Sequence, residues 1–423
     1  MADSANRRIF VNAGPIAHFS AGDVSKPLVG TAMSSDEQIH VAGMAFVVES
    51  GIFTTISTTE QIISEYGHDS ATVDLGGHAI VPGYIDAHTH LIWDGDRSNE
   101  LRMRQSGMSY SDIANAGGGI RHTVEQTRNC TDADLRRIGK SRLDIALNHG
   151  TTSIEVKSGY GLNTKSEMAI LDAYMVLNEM PQYRGMNFPT WMGAHDIPHG
   201  WKRSDYVEHL ISEQLPEIGE SGLALNVDVF CEPGWFTLED TENICRAATE
   251  EGLEIRLHVD EFCDGEGLQL AAELGAVTAD HAIHSTDDAR AAAAEAGVLQ
   301  GFLPGTPYIM GSEKWPPIQK CIDEEWPWTL ASDFNPNCPT LSLPMAGSLV
   351  THRLNIDPIA TLAAVTRNAA TGLPPGLQQQ GVITEGAVAN FNQLNSMHIE
   401  SWCQSPGHHG IKNTFIRGNM IKR

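Results

Sequence analysis

The sequence predicts an α/β fold in which a (β/α)8 TIM barrel carries a small β-sandwich domain built from the N- and C-terminal segments. Between residues 77 and 376, apolar strand-like segments alternate with helical ones, and eight such units are typical of a closed parallel barrel. Residues 1–76 and 377–423 differ, because short apolar runs are separated there by turn residues. We therefore predict a barrel flanked in sequence by the two halves of one sandwich.

The two ends of the chain predict short antiparallel strands. The first strand starts near Arg8, and residues 39–48 form an apolar run between turn residues. Residues 388–394 and 413–419 repeat this pattern near the C-terminus. Because isolated strand pairs are only marginally stable in water, neither end is expected to fold alone. Pairing of the two ends in one sheet would give each end the partner that it lacks.

Eight segments of the central region predict barrel strands. They are residues 79–85, 151–156, 190–193, 226–230, 254–258, 276–281, 297–303 and 328–333. Helices are predicted between most of them, for example over residues 135–148 before Gly150, and over 166–180 after a capping box from Thr164 to Glu167. A doubly wound open sheet is the alternative fold, but no glycine-rich dinucleotide motif follows the first strand.

The composition is that of a globular enzyme. With 423 residues, of which 41% are hydrophobic and 19% charged, the chain can bury a large core. Its net charge of -25 argues against nucleic acid and anionic membrane surfaces as partners. The seven cysteines lack paired spacing, which favours a reducing cytoplasm. No window reaches the roughly 18–20 apolar residues of a membrane span.

Two histidines end the first predicted barrel strand. His88 and His90 are separated by one residue and follow an apolar run. Residues i and i+2 of a strand face the same way, so both imidazoles can point into one cavity. A pair of surface histidines could have the same spacing, but further candidate ligands follow at the ends of later strands. The sequence therefore predicts a metal site here.

Other polar residues occur at the ends of later strands, where a barrel carries its chemistry. They are Tyr160, His195, His258, Glu261, His281 and Asp333. The set predicts one divalent metal ion, Zn or Fe. Such an ion lowers the pKa of bound water toward about 7, which supplies a nucleophile. Glu261 could transfer a proton, and His281 could polarise the substrate oxygen.

Six segments carry a resemblance that covers nearly the whole chain. They are residues 82–91, 116–120, 157–162, 193–195, 258–261 and 332–336. The first and last resemble the amidohydrolase superfamily. The Gly-Gly-Gly and Lys-Ser-Gly-Tyr-Gly segments are similar to one member of it, the imidazolonepropionase family. The resemblance implies hydrolysis of the ring C–N bond of 4-imidazolone-5-propanoate to N-formimidoyl-L-glutamate in histidine degradation, by a metal-activated water.

The resemblance also implies roles for individual residues and a small-molecule substrate. The implied metal ligands are His88, His90, His258 and Asp333. The implied catalytic residues are Glu261, His281 and Asp333. The implied substrate contacts are Arg97, Tyr160, His195, Glu261, Asn335, Asn337 and Cys338. The family usually has glycine after Asn-Pro, where this chain has Asn337 and then Cys338. Homodimers are common in the family, so a homodimer is expected.

Several alternatives stay open. A nucleobase or related ring deaminase of the same superfamily would share the metal ligands. A non-catalytic relative could keep the barrel as a scaffold, although the intact ligand set counts against this. Lys157 could be a carboxylated lysine between two metals, but such lysines follow the fourth strand and Lys157 follows the second. Glu232 does follow the fourth strand, so a second metal there stays open, although we favour one.

Overall fold

In the part of the chain that the structure describes, the strands form three β-sheets of eight, six and four strands. The computed structural model describes residues 7–67, 71–108, 112–113, 116–374 and 379–422. The strands are β1 (Arg7–Val11), β2 (Ile16–Ala17), β3 (Ile39–His40), β4 (Met44–Glu49), β5 (Ile52–Thr58), β6 (Thr72–Asp74), β7 (Ile80–Pro82), β8 (Tyr84–Asp86), β9 (Thr151–Lys157), β10 (Asn187–Ala194), β11 (Asn226–Cys231), β12 (Glu254–Val259), β13 (Thr278–His281), β14 (Leu299–Phe302), β15 (Trp328–Leu330), β16 (Phe391–Leu394), β17 (Ile411–Ile416) and β18 (Asn419–Met420).

Helices connect most of the barrel strands. The α-helices are α1 (Thr59–Tyr66), α2 (Glu100–Gln105), α3 (Gly119–Arg128), α4 (Asp132–Asn148), α5 (Thr164–Glu179), α6 (Arg203–His209), α7 (Leu215–Ser221), α8 (Leu238–Glu250), α9 (Gly267–Leu274), α10 (Asp287–Glu295), α11 (Gly305–Met310), α12 (Ile318–Asp323), α13 (Leu343–Leu354), α14 (Pro358–Ala364) and α15 (Arg367–Thr371). A π-helical turn (Leu210–Gln214) joins α6 to α7, and 3₁₀ turns lie at Gly30–Ser34, Asp36–Gln38 and Ile399–Trp402.

The eight-stranded sheet forms a nearly closed parallel barrel. Its strands follow chain order from β8 to β15, and each is hydrogen-bonded to the next. The seam between β8 and β15 is closed by an isolated bridge from Thr89 to Phe334, where His90 N–H donates to the carbonyl oxygen of Phe334 at 2.8 Å. The predicted (β/α)8 barrel is confirmed.

The predicted strand over residues 79–85 is divided in the structure, so that prediction is wrong. β7 pairs with β16 in the six-stranded sheet, whereas β8 pairs with β9 in the barrel. Gly83 lies between them, and a Cβ there would be 2.2 Å from Thr152 Oγ1. Only glycine lets the chain pass so close to β9. An apolar pattern cannot reveal such a change of sheet.

The six-stranded sheet joins the two ends of the chain. Its order, β18-β17-β16-β7-β2-β3, places C-terminal strands beside N-terminal ones. Phe391 stacks on Phe415 at 4.4 Å, and meets Phe10 and Phe46 edge-on at 5.2 and 5.1 Å. Phe10 and Phe46 lie in the four-stranded sheet, so these rings pack the two sheets together. The small β domain is confirmed, and the limits 1–76, 77–376 and 377–423 stay predictions.

All seven cysteines are free thiols, and five of them are buried. They therefore act as small apolar side chains rather than as a cross-linking framework. Within the described ranges, no helix is both long enough and apolar enough to cross a lipid bilayer.

Two imidazole rings stack in the β domain. The centroids of His18 and His40 are 4.0 Å apart, with an angle of 22° between the rings. His18 Nδ1 lies 2.8 Å from Ser20 Oγ. Burial, followed by the proximity of His40, lowers the pKa of His18 to about 4, and burial also lowers the pKa of His40. Both rings are therefore neutral at pH 7.

We expect the free energy of unfolding to decrease between pH 7 and pH 5 because of this pair. In the unfolded chain the two histidines take up protons at a pKa of about 6.5, whereas the folded protein excludes those protons. Stability from the pair is therefore present above about pH 6.5 and is lost as the pH falls toward about 4. Partial exposure reduces the expected loss to about 1–2 kcal/mol.

Urea unfolding of the wild-type protein and of His18→Asn, each at pH 7 and pH 5, measures this effect. The wild-type protein should lose more stability than the variant on acidification. Equal losses in the two proteins would contradict the prediction, because the other buried histidines are present in both.

Candidate metal and active site

Four potential metal ligands converge at the carboxyl ends of the barrel strands. His88 and His90 follow β8, His258 lies near the end of β12, and Asp333 follows β15. The Nε2 atoms of His90 and His258 are 3.3 Å apart, and Asp333 Oδ1 lies 3.8 Å from His88 Nε2 and 3.9 Å from His90 Nε2. All four side chains are buried. The structure thus brings together the four residues implied as ligands.

Buried carboxylates orient two of these histidines. His88 Nδ1 lies 2.7 Å from Asp280 Oδ2, and His258 Nδ1 lies 2.9 Å from Asp228 Oδ1. Because each carboxylate accepts an N–H from Nδ1, the Nε2 atom of each ring carries a free lone pair. Sequence analysis missed Asp228 and Asp280. Their signal was a single acidic residue inside an otherwise uncharged segment of a buried strand.

The nitrogen atoms fit a bound divalent cation. Burial, and to a lesser extent the charge of nearby Lys157, lowers the pKa of His88. Burial, and to a lesser extent His195, lowers the pKa of His90. Both rings are therefore neutral. His88 Nε2 is buried without a hydrogen-bond partner among the described residues. Such an atom costs free energy unless a ligand meets it. Three imidazoles and one carboxylate are donors that zinc and ferrous iron accept.

A carboxyl group and an imidazole face each other beside this cluster. Glu261 Oε2 lies 3.6 Å from His281 Nε2. Burial, followed by the charges of Asp333 and Glu232, raises the pKa of Glu261 well above its usual value. Burial and then His258 lower the pKa of His281. The pair therefore offers a proton carrier and a neutral imidazole. A cation bound nearby would favour the ionised form of Glu261.

The wall of the cavity contains a buried guanidinium group. Arg97 donates from Nε and Nη2 to the two carboxylate oxygens of Glu100, both at 2.8 Å. Glu100 Oε1 also accepts the N–H of Gly119 at 2.7 Å, which connects Arg97 to the Gly-Gly-Gly segment. The cavity is lined by Arg97 together with His90, Tyr160, His195, His258, Glu261, His281, Asp333, Asn335 and Asn337. Sequence analysis missed Glu100, whose only signal was its spacing of three residues from Arg97.

Proteins of similar sequence include imidazolonepropionases. No family model matches the chain. Imidazolonepropionase from Solibacter usitatus is 39% identical over 368 residues, which cover 86% of this chain and 87% of that protein. Imidazolonepropionase from Symbiobacterium thermophilum is 36% identical over 395 residues, which cover 92% and 91% of the two chains.

The chain belongs to the imidazolonepropionase family. It is a hydrolytic enzyme of the amidohydrolase superfamily.

Solved structures of other enzymes share the fold of this imidazolonepropionase-family chain. 5-Methylcytosine deaminase from Klebsiella pneumoniae, liganded with 5-fluorocytosine, has a TM-score of 0.71 at 15% identity, covering 98% of this chain and 97% of its own. An adenosine deaminase from Xanthomonas campestris with bound zinc has a TM-score of 0.64 at 16% identity, covering 97% and 92%. At these identities the likeness concerns the fold alone.

The Lys-Ser-Gly-Tyr-Gly segment of this chain is held by a buried carboxylate. Glu167 accepts three backbone N–H groups, at 2.8, 2.7 and 2.6 Å, from Gly159, Gly161 and Leu162. Tyr160 lies within this loop, with its ring 5.1 Å from the ring of His195. His195 in turn stacks on His90 at 4.8 Å. The loop therefore places Tyr160 against His195, which follows β10 and lies beside the candidate metal ligand His90.

The predicted capping box from Thr164 to Glu167 is wrong. Asn163 caps α5, because its side-chain oxygen accepts the N–H of Ser166 at 2.9 Å. Glu167 is instead directed toward the preceding loop. A Glu three residues after a Thr fits both arrangements, so the local pattern could not distinguish them.

Lys157 is held as an ammonium ion rather than as a bridging ligand. Its Nζ lies 2.8 Å from Glu155 Oε1 and 2.6 Å from Asp228 Oδ2. Burial lowers the pKa of Lys157, but the charges of Asp228 and Glu155 outweigh it, and the pKa is raised. A carboxylated lysine forms from the neutral amine, which this environment disfavours.

The carboxylate of Glu232 is also engaged in structure. It accepts three backbone N–H groups, at 3.0, 3.0 and 3.1 Å, from Glu261, Phe262 and Cys263. These hydrogen bonds hold the loop that carries Glu261. Glu232 therefore has a positioning role that its place after the fourth strand did not reveal.

Asn335, Asn337 and Cys338 form one turn after Asp333. Asn335 Nδ2 donates to Asp333 Oδ1 at 2.9 Å, and its Oδ1 accepts the N–H groups of Asn337 and Cys338 at 2.7 and 3.0 Å. Asn335 and Asn337 line the cavity. The Cys338 thiol is buried and lies 3.8 Å from the carbonyl oxygen of Ser332. The side chain of Cys338 is thus turned toward the protein interior.

We expect Gly301→Ala to weaken metal binding. A Cβ on Gly301 would lie 2.0 Å from Asp280 Oδ1, so the carboxylate that orients His88 must move. Loss of such a partner typically reduces metal affinity by about 10–100-fold. Zinc titration against a competing chelator measures the change. Gly407→Ala is the control, because its Cβ meets no atom within 4 Å, and equal affinities in the two variants would contradict the prediction.

Proposed function

We propose that this enzyme hydrolyses the ring amide C–N bond of 4-imidazolone-5-propanoate and releases N-formimidoyl-L-glutamate, a step of histidine degradation. The observation that carries the proposal is a guanidinium group in the wall of a cavity that is also lined by His90, His258 and Asp333. The ligands suit hydrolysis, and the guanidinium suits the substrate carboxylate. Membership of the imidazolonepropionase family supports the same reaction.

We assign His88, His90, His258 and Asp333 to one divalent metal ion, either Zn or Fe. When bound, the ion supplies an activated water at neutral pH. Support for a single ion comes from Lys157 and Glu232, whose charged groups are already engaged by protein atoms. Asp333 is in addition held by two donors, Thr306 Oγ1 and Asn335 Nδ2. Thr306 donates to Oδ2 of Asp333 and Asn335 donates to Oδ1, so the protein fixes both carboxylate oxygens.

The proposed reaction assigns one proton path and one hydrogen bond to side chains. Water oxygen adds to the ring carbonyl carbon, Glu261 takes a proton from that water, and the same proton passes to the ring nitrogen as the C–N bond breaks. His281 donates a hydrogen bond to the carbonyl oxygen while negative charge develops there. The distance of 3.6 Å between Glu261 Oε2 and His281 Nε2 supports this assignment, because both groups can then reach one carbonyl group.

The proposed substrate contacts come from other residues of the cavity wall. Arg97 binds the propanoate carboxylate, and Tyr160 and His195 contact the ring. Asn335 lines the cavity through a side chain that also holds Asp333, and Asn337 lies beside it. For Cys338, whose thiol is turned inward, the proposed contact uses the backbone.

The same proposal covers the partners and the cellular location of the enzyme. Its net charge of -25 favours a small-molecule substrate and disfavours nucleic acid and anionic membranes. Free cysteines suit the cytoplasm. A homodimer is proposed on family membership alone.

A deaminase acting on a nucleobase or related ring is the second candidate function. The cluster of three histidines and Asp333 favours it, because a deaminase also needs a metal-activated water. A nucleobase has no carboxylate for Arg97 to bind. The two candidates therefore differ in what Arg97 contributes.

We expect Arg97→Ala to lower kcat/KM for 4-imidazolone-5-propanoate by at least about 10-fold, and by up to about 10³-fold. A charged hydrogen bond contributes roughly 1.5–3 kcal/mol, and the guanidinium can form two. Arg97→Lys should recover only part, because an ammonium lacks the paired N–H groups. Steady-state assays with this substrate, cytosine and guanine measure the effect.

The result also separates the two candidate functions. Bound zinc should stay unchanged in both Arg97 variants, because Arg97 is not a proposed ligand. Activity of the wild-type protein on cytosine or guanine that exceeds its activity on 4-imidazolone-5-propanoate would replace this proposal by the deaminase.

We expect Glu261→Gln to retain the metal and to reduce turnover by about 10²–10⁴-fold, because glutamine keeps the size of the side chain but cannot carry a proton. Zinc content and kcat are measured on the same preparation. Cys263→Ser, in the same loop, is a control that should keep activity, since only its backbone N–H and thiol contact Glu232. Unchanged turnover in Glu261→Gln would show that Glu261 carries no proton.

A further inference from the structure

A cation–π cluster lies directly behind the metal ligands, at the seam where the first and last barrel strands meet. The guanidinium carbon of Arg142, on α4, is 3.9 Å from the centroid of a Trp93 ring and 5.3 Å from that of Phe334. The rings of Trp93 and Phe334 stack at 5.9 Å, with an angle of 29° between them. Trp93 follows His90 by three residues, and Phe334 follows Asp333 directly.

Hydrogen bonds fix the guanidinium in this cluster. Arg142 Nη1 donates to the carbonyl oxygens of Leu91 and Trp93, at 2.7 and 2.9 Å. Burial lowers the pKa of Arg142 to about 10, so the group is still charged at neutral pH. Among the described residues, no carboxylate forms an ion pair with Arg142. Its charge is stabilised by two carbonyl dipoles and two aromatic faces instead.

The seam has few other connections. Besides the Thr89–Phe334 bridge, Asp86 accepts hydrogen bonds from Ser332 N and Oγ, at 2.9 and 2.6 Å, and Asp333 N–H donates to the carbonyl oxygen of His88 at 3.2 Å. His88 and His90 lie on one side of this seam and Asp333 lies on the other. Any separation of the two loops would therefore change the distances between ligand atoms.

We infer that Arg142 is a positioning residue for the metal site, which holds the loop after β8 to the loop after β15 through Trp93 and Phe334. The inference rests on the proposed metal site. It assigns Arg142 no contact with substrate or metal, because its partners are two carbonyl oxygens and two rings. Its effect is transmitted through the relative position of His90 and Asp333.

The test measures zinc affinity rather than activity alone. Full-length protein is stripped of metal and titrated with Zn²⁺ against a competing chelator. Arg142→Lys keeps the charge but loses the planar stack and the fixed donors, so its zinc affinity should fall by at least about 10-fold, as for other residues that orient ligands. Arg136→Lys is the matched control on the same helix, because the guanidinium of Arg136 forms a partly exposed ion pair with Asp172 at 3.0 Å.

Further measurements separate positioning from simple loss of stability. In Arg142→Lys, excess zinc should restore most of kcat, whereas a purely structural role would lower the melting temperature and leave zinc affinity unchanged. Trp93→Phe should also weaken zinc binding, by less, because phenylalanine offers a weaker π-face than tryptophan. If Arg142→Lys does not fold, Trp93→Phe decides.

Zinc affinity equal to wild type in Arg142→Lys, or in Trp93→Phe where that variant decides, would overturn the inference. If the wild-type protein itself bound no zinc or iron, the metal proposal would fail instead. The two failures are therefore distinguishable.

Discussion

The convergence of imidazole lone pairs in a buried space is the constraint on which the rest of the site depends. Neutral rings can offer lone pairs there if their N–H groups are turned outward, and the barrel achieves this for two of the three histidines with carboxylates placed inside its strands. Asp280 and Asp228 accept the outward N–H groups of His88 and His258. These acids would repel each other in an apolar interior, and the ammonium of Lys157, 2.6 Å from Asp228, compensates part of their charge.

Glycines occur where neighbouring groups need the space that a side chain would fill. Gly301 leaves the space that Asp280 occupies, and Gly83 lets the chain leave the sandwich and enter the barrel beside β9. Two non-glycine residues of the site, His281 and Asp333, have φ angles of 67° and 51°, in the left-handed region. Such conformations cost free energy and persist only where the surroundings fix them. The side chains of His281 and Asp333 are therefore held in one direction, although the backbone conformation that this requires is unfavourable.

The sequence was sufficient for the elements that depend on periodicity, and insufficient for those that depend on long-range neighbours. Alternating strands and helices predicted the barrel, and the spacing of His88 and His90 predicted the place where the candidate ligands lie together. The division of residues 79–85 at Gly83 was not predictable, because both halves are apolar and only their partners differ. Glu167 was misassigned for a similar reason: its partners precede it by five to eight residues, outside the pattern of a helix cap.

Ligand position and barrel closure are linked by this architecture. A parallel barrel places its chemistry at the carboxyl ends of its strands, so ligands from the first and last strands necessarily flank the closing seam. Among the described residues, the seam has one isolated bridge and a backbone hydrogen bond from Asp333 N–H to the carbonyl oxygen of His88, and side chains such as the carboxylate of Asp86 on Ser332 add to them. Side-chain hydrogen bonds constrain distance and direction more locally than a strand ladder does. The geometry of the metal site therefore depends on individual residues behind it, and not only on the ligands themselves.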